Sequence, residues 1–99
     1  MQLDQLTDLM DQFVRQKGWY QTGSIHPQTP RSIAISLCLE AAEVLEHFQW
    51  NEGTANPEAL SAELADVTLY LLQLANLCEI DLEKAVLKKL EENGTRHWE

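Results

Sequence analysis

Positive charge is scarce in this chain, and where it is missing matters more than how little there is. Seven Lys and Arg stand against sixteen Asp and Glu, a formal net charge of −9. Reading a nucleic-acid backbone needs a basic patch, and so few cations cannot build one, so a nucleic-acid polymer is not an expected partner. Between Arg31 and Lys84 there is no Lys or Arg at all, while ten acidic residues fall in the same interval. Cysteine is sparse too. Cys38 and Cys78 lie far apart in apolar sequence and are expected as reduced core residues of an intracellular protein. No apolar run reaches membrane-spanning length, and Met1-Gln2-Leu3-Asp4 does not read as a secretory signal. No membrane association and a cytoplasmic location are therefore expected.

Helix breakers are few, four Gly and three Pro, and they fall in clusters. What they leave between them reads as helix, with no strand candidate, repeat or low-complexity segment. Leu3, Leu6, Met10, Phe13 and Val14 recur at helical spacing, which predicts an amphipathic helix over 2–17 ended by Gly18. A loop rich in Gly, Pro, Ser and Thr follows, long enough to be functional. Thr29-Pro30 starts a second helix running to about Trp50, Asn56-Pro57 a third running to about Cys78, and Asp81 caps a fourth that Asn93-Gly94 stops. The expected architecture is a single all-α domain of four helices over 1–99.

Two pairs of carboxylates are embedded in the most apolar of this sequence. Glu40 and Glu43 sit among Leu37, Cys38, Leu39, Ala41, Ala42, Val44 and Leu45, and Glu63 and Asp66 among Leu64, Ala65, Val67 and Leu69. Residues three apart share a helix face, so each pair points one way. Carboxylates in such surroundings are costly unless something positive compensates them. No basic residue is near, so a bound cation is the simplest compensation, and oxygen-only ligands favour Mg²⁺, with Mn²⁺ or Ca²⁺ as substitutes. Two alternatives stay open. ExxE also occurs on solvated helix faces, and a di-iron carboxylate bundle uses similar acids. The latter wants Glu-x-x-His on two helices. His47 follows Glu43 by four residues and Glu46 by one, so that pattern is absent.

The run from Ser36 to Trp50, the run Glu63-Leu-Ala-Asp66-Val-Thr-Leu-Tyr70-Leu-Leu, and Ile80-Asp81-Leu-Glu-Lys-Ala85-Val together resemble the MazG-like nucleotide pyrophosphohydrolases, nearest their dCTP-pyrophosphatase-like branch. The resemblance spans about residues 29–93. It implies Mg²⁺-dependent hydrolysis of a (deoxy)nucleoside triphosphate to monophosphate and pyrophosphate by a homodimer or homotetramer. By position, Glu40, Glu43, Glu63 and Asp66 match the family's metal-binding and catalytic acids, with Glu46 a further acid of the motif. Trp50 and Tyr70 match aromatic positions of the nucleobase site, and Trp19 another. Lys89 and Asn93 match a segment that binds phosphates and nucleotide.

Two departures stand out. The stretch from Trp19 to Arg31 is longer than the family's link, with His26 near where the family has a His. The family's Lys-Tyr-Pro ending is replaced by Arg96-His97-Trp98, in which Arg96 can still meet phosphate. A different class of reading also remains, a non-catalytic nucleotide-sensing or dimerisation module on the same scaffold. Either way, the third helix carries Leu69, Leu71, Leu72, Leu74, Ala75 and Leu77 over more than one stripe, which predicts burial on several sides and hence self-association.

Overall fold

The computed structural model describes residues 1–21, 23–49 and 56–95. It contains four helices, α1 (Leu3–Gln16), α2 (Pro30–Glu46), α3 (Pro57–Leu77) and α4 (Leu82–Thr95), and no strand among the described residues. No helix among them is long and apolar enough to cross a membrane.

Local chemistry sets where most helices begin. The Thr29 hydroxyl accepts from Ser32 N–H at 3.1 Å while Ser32 Oγ accepts from Thr29 N–H at 2.9 Å, a reciprocal cap ahead of Pro30. Asn56 Oδ1 accepts from the amides of Glu58 and Ala59, and Asp81 Oδ1 from that of Lys84. Gly18, at φ +70°, lets the Trp19 amide reach back to the Val14 carbonyl and close α1. At the end of α4 the expectation fails: the helix runs on through Asn93 and Gly94 to Thr95. A lone Gly costs about 1 kcal/mol inside a helix, too little to stop one when no turn recruits it.

The end of α3 uses the Gly18 device without a glycine. Glu79 has φ 57°, and the Ile80 amide closes onto the Ala75 carbonyl at 2.8 Å. An L-residue there is strained, and Glu79 is exposed. Glu79→Gly should therefore stabilise the protein by about 1 kcal/mol, which a thermal melt reads as a rise of several degrees; an unchanged or lower midpoint would show that the turn stores no strain.

α2 packs most extensively on α3, α1 also packs on α3, and α4 packs on α1. Gln28 meets Gln73 and Glu40 lies beside Glu63, so α2 and α3 run antiparallel. The buried apolar side chains are few: Met10, Val14 and Leu72 form the core between α1 and α3, with Ile33 and Ala75 also enclosed. The radius of gyration is 16.0 Å, against about 13 Å for a compact chain of this size. Large apolar side chains on both long helices face outward, among them Ile35, Leu39, Leu45, Leu64 and Leu71. Cys38 and Cys78 are free, as expected, but exposed rather than in the core. Among the described residues, the neighbouring helices leave those outward-facing apolar side chains of α2 and α3 uncovered.

Candidate metal centre and adjoining cavity

The antiparallel pairing of α2 and α3 brings their acidic turns together. One carboxylate oxygen from each of Glu40, Glu43 and Glu63 lies within 4.8 Å of the others, close enough to hold a metal ion. Asp66, one turn beyond Glu63, is exposed and falls outside that group of three, yet its charge acts on both Glu40 and Glu63. No His joins the group among the described residues, which leaves an all-oxygen donor set. His47 is half-buried at the C-cap of α2, and Glu46 is exposed at its last turn.

Two observations show the strain in this cluster. Glu40 Oε2 and Glu63 Oε2 are buried with no hydrogen-bond partner in the structure, a costly condition for carboxylate oxygens. Desolvation, then the neighbouring Glu43, pushes Glu40 up to about 7, with Glu63 and Asp66 adding to the shift. Desolvation and Glu43 also raise Glu63, with a partial offset from Glu40 beside it. Buried, unpartnered acceptors of one sign at this spacing fit a hard divalent cation, and the donor chemistry is that of Mg²⁺, Mn²⁺ or Ca²⁺.

A stability consequence follows from the sign of these shifts. A carboxyl whose folded value lies above its unfolded one is held protonated by the fold. Its contribution is complete below the unfolded value near 4.5 and lost as pH rises through about 7. In chelator, the melting temperature should therefore fall between pH 5 and 8, and Glu40→Gln should flatten most of that slope. A slope unchanged in the variant would remove Glu40 as its source.

Along α2 toward its N-terminus, Ser36 precedes Glu40 by one turn and lines a cavity of about 440 Å³. Its other walls include Trp19, His26, Ser32, Tyr70 and Gln73. Tyr70 follows Asp66 by one turn of α3, so both helices carry the cavity toward the carboxylates. The Trp19 and His26 rings meet edge to face at 5.7 Å, and Trp19 also stands edge-on to Phe13 at 5.6 Å. A second, more apolar groove of about 450 Å³ lies on the far side of Trp19 and Tyr70, between α1 and α3, and Asp66 reaches it.

The remaining predicted residues are placed differently. Lys89 is exposed on α4, 3.7 Å from Glu92, and Asn93 is half-buried one turn further on. Their helix packs against α1 rather than α2. Trp50 and Arg96 lie outside the described residues. Sequence reasoning passed over Gln73 and Gln28. Gln73 is 4% exposed and hydrogen-bonds Gln28 across the cavity wall. Its only signal was a lone amide in the apolar run Tyr70-Leu-Leu-Gln73-Leu-Ala.

Comparison with known proteins adds to this geometry. A model of the MazG-like family matches residues 35–99. Human dCTP pyrophosphatase 1 is 34% identical over an alignment covering 96% of this chain and 58% of that protein, and the Mus musculus protein of the same name is 33% identical over the same shares. The chain thus spans under two thirds of the length of these mammalian relatives. The crystal structure of a pyrophosphatase from Archaeoglobus fulgidus superposes with a TM-score of 0.78 at 32% identity, covering 92% of this chain and 87% of that one.

Proposed function

The chain belongs to the MazG-like family, and we propose that it hydrolyses a (deoxy)nucleoside triphosphate to the monophosphate and pyrophosphate with Mg²⁺, for which Mn²⁺ can substitute. The observation that carries this reading is the meeting of Glu40, Glu43 and Glu63 with two buried, unpartnered carboxylate oxygens among them. Relatives named dCTP pyrophosphatase and a structural neighbour named as a pyrophosphatase support the reaction class. We read the enzyme as a house-cleaning hydrolase of the cytoplasmic nucleotide pool.

Glu40, Glu43 and Glu63 would hold the cation, with Asp66 beside them completing the acidic set. When bound, the cation offsets phosphate charge, orients the phosphoanhydride and makes a coordinated water more acidic. The protein's own part is to aim the acids, to keep the cluster free of competing basic residues, and to receive a proton. An acid of the set with one oxygen free of the cation accepts that proton as water adds to phosphorus and pyrophosphate leaves. The base enters the cavity beside Trp19 and Tyr70, whose rings offer stacking faces, while Ser32 and Ser36 supply polar contacts. Trp50 extends this aromatic wall in our reading, and Lys89, Asn93 and Arg96 meet phosphate oxygens, Lys89 giving up its exposed pairing with Glu92 to do so.

The working unit is a homodimer or homotetramer. An open subunit with a small core and outward-facing Ile35, Leu39 and Leu71 supports this reading. A panel of canonical and modified NTPs and dNTPs, with pyrophosphate and orthophosphate measured separately, tests the activity. Metal-dependent pyrophosphate release with at least one nucleotide is the expected result. Orthophosphate alone, or no turnover across the panel with either metal, would overturn it.

A further inference from the structure

Gln73 is the one buried polar residue among the described residues, and it sits within the apolar run Tyr70-Leu71-Leu72-Gln73-Leu74-Ala75 of α3. An amide is expensive there unless its hydrogen-bonding groups are engaged, and a Leu would cost nothing of that kind. The engagement is specific. Gln73 Nε2 donates to Gln28 Oε1 at 2.6 Å and approaches the Tyr20 hydroxyl at 3.4 Å. Gln28 in turn donates through its own Nε2 to the His26 carbonyl at 2.9 Å. One amide on α3 thus reaches both ends of the segment between α1 and α2, beside Trp19 at the start and His26 near the finish.

At its start the segment is also held by Trp19 and Tyr20, which pack against the Met10, Val14 and Leu72 cluster; toward His26 the described residues show no other hydrogen bond to α3. The hydrogen bonds of its backbone amides are local, from Gln21 to the Gly18 carbonyl, Ser24 to that of Gln21, and His26 to the Ser24 hydroxyl. Ser32 Oγ ties the Pro27 carbonyl to α2, not to α3. Trp19 and His26 face each other from the two ends of this same segment, and both line the cavity that Gln73 also lines.

We propose that Gln73 is a positioning residue for substrate: through Gln28 and Tyr20 it clamps the segment carrying Trp19 and His26 onto α3, and so fixes the width of the cavity that receives the base. The proposal rests on the reading of that cavity as the base site. The clamp acts on the base and leaves the triphosphate, held at the carboxylates, untouched.

The test uses Gln73→Leu, which keeps the volume and removes the amide, Gln28→Ala, which cuts the same bond from the half-buried loop side, and the two combined. Hydrogen exchange followed by mass spectrometry should show the 18–28 segment opening about fivefold to tenfold more readily in either single variant, the cost of one net hydrogen bond, with exchange in the first half of α3 unchanged. Calorimetry with Mg²⁺ should show a non-hydrolysable nucleoside triphosphate analogue binding more weakly by a similar factor, and inorganic tripolyphosphate binding as before. The double variant should lose less than the sum of the single ones, since both of those break the shared Gln73–Gln28 bond. Unchanged exchange in both single variants overturns the clamp, and faster exchange with unchanged analogue affinity overturns its role in binding. Equal weakening of analogue and tripolyphosphate also overturns that role, by showing a general loss of structure. Failure of the wild-type protein to bind any nucleotide analogue would instead strike the functional reading, and with it the substrate role of Gln73, while the exchange result alone would decide whether the segment is clamped.

Discussion

Glu43→Gln and Glu63→Gln should each reduce nucleotide hydrolysis by more than about a hundredfold while helix content is retained. Residues that merely orient metal ligands typically cost ten- to a hundredfold when removed, and a lost ligand costs more. The amide keeps the shape of the side chain but withdraws one negative charge from a group of three that lie within 4.8 Å. The same substitution relieves repulsion in the metal-free protein, where desolvation and Glu43 raise Glu40 and Glu63 above the ordinary carboxylate range. Each variant should therefore melt at or above the wild-type temperature in chelator and gain less than wild type from added Mg²⁺. Near-normal turnover in either variant would remove the cluster from the chemistry. A catalytic loss accompanied by loss of helix would point to a structural role instead.

The second large effect concerns assembly. Leu39 is 62% exposed and Ile35 51%, one turn apart on α2, on a helix whose surroundings in a single chain leave that stripe bare. Leu39→Glu places a carboxylate where we propose that another subunit packs. An unpaired charge enclosed in an apolar contact costs roughly 3–5 kcal/mol, which raises the dissociation constant by about two to three and a half decades. Sedimentation velocity at micromolar concentration should show wild type as a dimer or tetramer and Leu39→Glu shifted toward monomer, with a lowered melting temperature. A wild-type protein that sediments as a stable monomer, or a variant that assembles normally, would rule out this interface.

The parts of the molecule that could be read from sequence are those governed by neighbours along the chain. The Thr29-Pro30 and Asn56-Pro57 starts are local hydrogen-bond arrangements, and the structure shows both caps. The acidic pairs were legible because helical periodicity forces residues three apart onto one face, and the absence of any basic residue from 32 to 83 needed no structure at all. The end of α4 was misread because Gly94 carries no turn geometry of its own, and a terminal Gly continues a helix at small cost. Cys38 and Cys78 were misplaced for a different reason. Apolar flanks report that a helix face will be covered, but not whether the cover comes from the same chain. Gln73 was out of reach because its partner is Gln28, forty-five positions away, and nothing in the spacing of either amide announces the other. The separation of Asp66 from the three glutamates is likewise a matter of how two helices cross, which periodicity along one of them cannot give.

The central claim is that Glu40, Glu43 and Glu63 form a divalent-cation centre, and a Mn²⁺ titration followed by electron paramagnetic resonance tests it without knowledge of the substrate. Wild-type protein should quench the free-Mn²⁺ signal stoichiometrically, Mg²⁺ should restore that signal by competition, and Glu63→Gln should leave most of it intact. Identical Mn²⁺ binding by wild type and Glu63→Gln, or no binding by wild type, would contradict the account.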